Sequence, residues 1–274
     1  LLEPNDSVMF RLNTYDFDES LVFTGKGARK NNYLIETYLA NEQQASKLVH
    51  YAKMEPEEFN AFVEERRKKE LTKFHNFLQD KEESELFKSI IETNINYNSY
   101  ADKEIYPFAY FGNNKLIHIK DLPEDFYDHR NYVDYNAAHL SHLYAYNRFL
   151  FSHIDNLAAQ NYYKKHNVHS TFDRHAADYN KSKLDLIDSI ISNETIKNSL
   201  LKYKTRDYVS YNHTEAEADE MLNYYLPKST NEEDKESIKE LVCSLKLLRQ
   251  GNPIPNIEIV NYDNSEHNLN SIIE

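Results

Sequence analysis

The sequence predicts a mainly α-helical protein: an irregular multi-helix bundle with a short β-hairpin at its N-terminus and one or two strands at its C-terminus. Three observations lead there. Glycine supplies only 4 of 274 residues, which disfavours a fold of many tight turns, because those turns need backbone conformations that glycine adopts most easily. Apolar residues recur at helical spacing through most of the chain, while alternation with a period of two is confined to its ends. Hydrophobic residues make up 40% and charged residues 28%, enough for a real core beneath a solvated surface.

Near the N-terminus Val8, Phe10 and Leu12 alternate with Met9 and Arg11, a strand pattern, and a second strand is expected around Ser20 to Thr24, ending at Gly25 and Gly27. Two strands alone are marginal in water, so they either belong to a larger sheet or pack on the helices. From Asn31 the period lengthens, with Ile35, Tyr38, Leu39, Val49 and Ala52 on one helical face. Pro56 suits the first turn of the next helix, Glu57 and Glu58 suit its N-terminal dipole, and Phe59, Phe62, Val63, Phe74 and Leu78 form its apolar side. Phe87, Ile90 and Ile91 indicate a third helix, and Pro107 is expected to interrupt the element after it.

Between Gly112 and Val168 the pattern weakens into a stretch rich in Tyr, His and Asn, with Pro123 in a loop. Leu140, Leu143, Tyr144, Leu150 and Ile154 point to one or two helices there. Leu184, Ile187, Ile190 and Ile191 then share a face, and Asn193 is placed to cap a helix carrying Ile196, Leu200 and Leu201. The last helix has capping-box spacing at Thr230-x-x-Glu233 and a stripe of Ile238, Leu241, Val242, Leu245 and Leu248, and it ends at Gly251 and Pro253. Cys243 lies beside that stripe and reads as a packed small hydrophobe. Ile257 to Val260 read as a strand and Tyr262 to Ser265 as a turn.

Composition excludes several functions. A net charge of −13 repels phosphates, which argues against nucleic acid. The one basic run, Arg66 to Lys69, sits among Glu64, Glu65 and Glu70 and reads as a solvated helix face with i,i+4 pairing. A single cysteine forms no internal disulfide, no CxxC pair and no cysteine-rich zinc site. No apolar run approaches the ~20 residues that span a bilayer, and nothing at Leu1 resembles a signal peptide. The chain reads as trimmed at both ends. The 22 tyrosines and absent tryptophan imply packing by rings with a polar tip, at half-buried positions.

The segment Gly251-Asn252-Pro253-Ile254-Pro255-Asn256-Ile257-Glu258-Ile259, with Leu269 beyond it, resembles the opening of a TlpA-like thioredoxin domain, with Asn264-Ser265 at a turn where that family commonly has glycine. Asp6-Ser7, the stretch Phe23 to Leu34 and Asn198-Ser199-Leu200-Leu201 are similar to the pre-thioredoxin region of envelope members of the family. The resemblance implies three parts: 1–28, a remnant of an N-terminal β domain; 29–250, a helical domain; and 251–274, the start of a thioredoxin-like domain. It implies a periplasmic or cell-envelope location, a possible lipid anchor upstream, and a CxxC domain downstream. The function expected is that of a non-catalytic helical region of a thiol-disulfide oxidoreductase, docking a protein client or reductant partner or orienting the catalytic domain. No catalytic residue and no cofactor carries over.

Tyr144, Tyr146, Tyr162 and Tyr163 are the candidate partner-binding residues, because tyrosine favours surfaces with one wet and one dry side. The alternatives are a stand-alone envelope binding module without a redox role and a His-based metal-binding protein. His139 and His142, and His166 and His169, stand three apart, with His129, His153 and His175 near in sequence and Asp134 or Asp173 available to complete a shell. No HExxH and no Gly-x-Ser-x-Gly occurs. The acidic pairs Glu57-Glu58 and Glu232-Glu233 lie at helix starts and read as dipole partners.

Overall fold

A computed structural model describes residues 1–45, 51, 53–79, 81–112, 122–165, 172–211, 214–249, 251–252 and 256–272. The protein is mainly helical, with two small antiparallel strand pairs. It divides into two compact units, Leu1–Arg174 and His175–Glu274, so the helical stretch 29–250 is shared between them.

The first unit opens with strands β1 (Ser7–Arg11) and β2 (Val22–Lys26), paired with Phe10 opposite Phe23 and Ser7 opposite Lys26. Both strands carry exposed apolar side chains: Phe10 is 66% accessible and Met9 71%. The alternation that marks this strand therefore does not bury Phe10. Gly25 holds φ at +97°, and a Cβ there would stand 2.3 Å from the Ser7 carbonyl oxygen, so only glycine lets the strands close. Helix α1 (Ala28–Ala45) follows directly. Its Asn32 accepts from the Phe23 N–H at 2.8 Å and donates to the Phe23 carbonyl at 3.0 Å, fastening the hairpin to the helix. Lys30 is buried between the carboxylates of Glu3 and Asp6.

Helix α2 spans Pro56–Gln79 and α3 spans Glu85–Phe111. Ser84 caps α3 by accepting from Phe87 N at 3.2 Å. Tyr33, Phe74, Phe87, Ile91 and Ile95 form one apolar cluster across α1, α2 and α3. Phe59, Val63, Tyr106, Leu122 and Phe126 form a second. Each fully buried ring of this kind contributes about 1.5–3 kcal/mol. Pro107 does not interrupt α3, which runs through it to Gly112. Neighbouring packing overrides the proline's missing donor: Tyr106 stacks on Phe59 with centroids 3.9 Å apart and donates to the Met54 carbonyl. Tyr38 is half-exposed rather than on the buried face of α1, which presents Tyr33 instead; Val49 and Ala52 lie outside the described residues.

The stretch from 122 to 165 holds two short 3₁₀ turns, Asp128–Tyr132 and Ala138–Leu140, and helix α4, Tyr144–Lys165. Phe149, Leu150, Ile154 and Ala158 bury completely as α4 packs along α3.

The second unit contains α5 (Ala177–Ile190), α6 (Glu194–Val209), α7 (Glu215–Tyr225) and α8 (Glu232–Leu247). Leu184, Ile187, Ile191, Ile196, Leu200 and Leu201 are buried as their spacing predicts, joined by Tyr225, Ile238 and Val242. Asn193 caps α6 through Ile196 N at 3.1 Å. The cap of α8 is Asn231, accepting from Asp234 N at 3.0 Å, not Thr230. The reason is lateral: the Thr230 hydroxyl donates to Glu194 and accepts from Asn198, which ties it to α6. A complete capping box stands instead at Thr214 and Glu217. In the α8 stripe Ile238 and Val242 are buried, but Leu248 is 67% accessible. Cys243 is exposed, not packed.

Strands β3 (Glu258–Val260) and β4 (Glu266–Asn268) form an antiparallel pair. Asn264 takes φ +64° in their turn, and Asp263 accepts from Ser265 N at 2.9 Å. Asparagine here meets the positive φ that glycine would otherwise supply. No described residue after Val242 is buried.

Candidate functional site

The most concentrated chemistry lies inside the first unit, on three successive charged residues of α3. Asp102, Lys103 and Glu104 are all buried, Glu104 completely. Successive helical residues point about 100° apart, so burial of all three means that α3 is enclosed on several sides. Each side chain serves a different neighbour. Asp102 pairs with Arg66 of α2 and Arg148 of α4. Lys103 pairs with Glu64 of α2 at 2.8 Å, and Glu64 also holds Arg67 at 2.8 Å. Glu104 faces the Asp128–Tyr132 turn and α4.

Around Glu104 the bonding is dense. Its Oε1 accepts from His129 Nε2 at 2.9 Å, His153 Nδ1 at 2.9 Å and Arg130 Nε at 2.8 Å, and its Oε2 accepts from Arg130 Nη2 at 2.6 Å. These contacts assign the proton of His129 to Nε2 and that of His153 to Nδ1. His153 Nε2 then accepts from the Tyr135 hydroxyl at 3.0 Å. Asn156, fully buried, accepts from Arg130 at 3.0 Å and donates to the Glu104 carbonyl at 2.9 Å and to the Tyr127 hydroxyl at 3.1 Å. Rings close the shell: Tyr100 stacks on His129 with centroids 5.0 Å apart, Phe149 stacks on His153 at 5.1 Å, and the Arg130 guanidinium lies 3.7 Å over Tyr127.

This geometry sets the electrostatics. Burial alone would raise the Glu104 carboxyl, but the hydrogen bonds from Arg130, His129 and His153 outweigh it and hold the group well below the usual carboxylate range. For Arg130 burial acts against the charge, and the Glu104 hydrogen bond reverses that and raises it. Burial lowers His129 from its ordinary 6.5 despite Glu104. Burial pushes the Tyr127 hydroxyl up to about 12. The network is thus an ionised Glu–Arg pair joined by two imidazoles, of which burial holds His129 toward its neutral form. With four N–H donors on one carboxylate and no accessible surface, Glu104 is placed to organise the interior, not to exchange protons with a substrate.

The residues singled out by sequence fare unequally. Tyr146 has no accessible surface and donates to the Asp134 carbonyl at 2.9 Å, so it leaves the set of surface candidates. Tyr144 is 76% accessible. Tyr162 and Tyr163 are half-buried, each with its ring against Phe172. His139 and His142 are exposed on a 3₁₀ turn and the loop after it, not on one face of an α-helix, while His166 and His169 lie outside the described residues. Among the described residues no three His, Cys, Asp or Glu side chains are grouped to hold a metal ion. His129 and His153 do converge, but on a carboxylate already shared with Arg130. His175 belongs to the second unit and stacks on Tyr211 with centroids 3.4 Å apart. The basic run is solvated only in part: Lys69 pairs with Glu65 in water, whereas Arg66 and Arg67 reach Asp102 and Asn96 of α3.

The second unit has an open groove between the N-terminal ends of α6 and α8, lined by Glu194, Asn198, Lys202, Asn231 and Asp234. Its charges are satisfied internally, with Lys202 on Asp234 at 2.7 Å and Glu194 on Lys197 at 3.0 Å. The chain matches no protein-family model, no curated protein and no solved structure. Among the described residues no helix is long and apolar enough to cross a membrane.

Proposed function

We propose that the chain is a non-catalytic helical region of a TlpA-like thiol-disulfide oxidoreductase of the cell envelope, positioning a thioredoxin-like domain and docking its protein partner. One observation carries the reading. No described residue of the β3–β4 hairpin is buried: Ile257 is 54% accessible, Val260 63% and Ile259 half-buried, and among the described residues the pair has two strands. A hairpin of that size is marginal by itself. It gains stability when further strands or a helix cover its apolar face, and the opening of a thioredoxin-like sheet would do this. Gly251, at φ +97°, suits a border between the helices and such a sheet. The densely bonded interior of the first unit fits a rigid support better than an enzyme centre.

The test is to read the gene beyond Glu274 and express the longer product. The proposal expects a Cys-x-x-Cys within a few dozen codons, insulin-reducing activity in the longer protein and none in residues 1–274. It also expects amides around Ile257 and Val260 to gain hydrogen-exchange protection in the longer protein. A reading frame without that motif would leave a stand-alone envelope binding module as the better account.

A further inference from the structure

We propose that His129 is the acid-sensitive pin of a latch that holds the segment Tyr127–Tyr135 against α3 and α4 of the first unit. Two buried imidazoles meet Glu104, and they differ in what their second nitrogen touches. His153 uses both ring nitrogens: Nδ1 donates to Glu104 and Nε2 accepts from Tyr135. His129 uses only Nε2, and among the described residues its buried Nδ1 has no hydrogen-bond partner. Protonation there would create a charged N–H without an acceptor among those residues, which is strongly unfavourable.

The surroundings supply no relief. From α3, Tyr100 covers the ring face, and Lys103 adds a positive charge that Glu64 of α2 already partners. Glu104 is the anion that faces the ring, and it carries Arg130 and His153 as well. From the segment itself come Arg130, a second positive charge, and the Tyr127 ring. From α4 come the Phe149 edge and His153. Acid therefore cannot be absorbed in place. It is absorbed when the segment opens and His129 titrates in water with its ordinary value of 6.5. Between the lowered value of the closed state and 6.5, each pH unit multiplies the open population by up to about ten, as one-proton linkage requires. Opening exposes Arg130, Tyr127 and the Glu104 face of α3 and α4 together.

Hydrogen exchange tests this on residues 1–274 between pH 8 and pH 5, with rates normalised for the intrinsic effect of pH. The opening equilibrium of peptides spanning 126–135 should be flat above pH 7 and rise between pH 6 and pH 5, by up to about tenfold. His129→Gln keeps a donor toward Glu104 without a titrating group and should abolish the rise; His153→Gln should retain it. A flat wild-type profile, or a rise that survives in His129→Gln, overturns the proposal. Should that variant fail to fold, the His129 imidazole signal of the wild-type protein decides by NMR: a midpoint below 6.5 supports the latch, and one at or above 6.5 overturns it.

Discussion

Replacing Glu104 by Gln tests whether the buried network supports the first unit. The carboxylate accepts four hydrogen bonds, two of them from Arg130, whose side chain is 17% accessible. The amide keeps the shape and one acceptor, but it removes the negative charge that faces Arg130 and turns an N–H toward an existing donor. Stranding one member of a buried ion pair costs about 3–5 kcal/mol. For a unit of this size that lowers the melting temperature by roughly 6–15 °C. Because the chain has two compact units, a single transition cannot be assumed. The assay is calorimetry combined with hydrogen exchange on peptides from α3 and α4, with peptides from α5 to α8 read alongside. Adding Arg130→Met to Glu104→Gln should recover at least about 2 kcal/mol, since the stranded charge is gone. A loss below about 1 kcal/mol in the single variant, or no recovery in the double, would refute the claim that Glu104 and Arg130 stabilise one another in the interior.

Single contacts set the remaining expectations. Gly25→Ala places a methyl group on the Ser7 carbonyl and demands φ +97° of an L-residue, so the hairpin should lose at least about 1–3 kcal/mol, seen as lost exchange protection across residues 7–26. Thr214→Ala removes the reciprocal cap with Glu217 and should cost about 1 kcal/mol, appearing as fraying of the first turn of α7 by amide exchange. Tyr146→Phe strips a buried donor from the Asp134 carbonyl and should cost about 1 kcal/mol in urea unfolding. By contrast, Tyr144→Ser at an exposed site should change stability by less than about 0.5 kcal/mol; the proposed docking role further expects it to weaken capture of a protein client.

Sequence by itself determined the secondary-structure class and most of the apolar faces. Leu184, Ile187, Ile196 and Leu200 bury where their spacing puts them, because a helix of fixed pitch gathers such residues on one side whatever it packs against. Asn193 was legible as a cap for a similar reason: its hydrogen bond is local and needs no distant partner. Tertiary structure decided the rest. The run Asp102-Lys103-Glu104 carries every sign of a solvated face, yet it is buried, since its partners Arg66, Arg148, Glu64, His129 and Arg130 come from other elements. Pro107 stays helical and Thr230 yields its cap to Asn231, because packing and lateral hydrogen bonds outweigh local preference. Charge patterns read from sequence report only neighbours along the chain. A buried ion pair is set by neighbours in space, and those are chosen by how α2, α3 and α4 pack together.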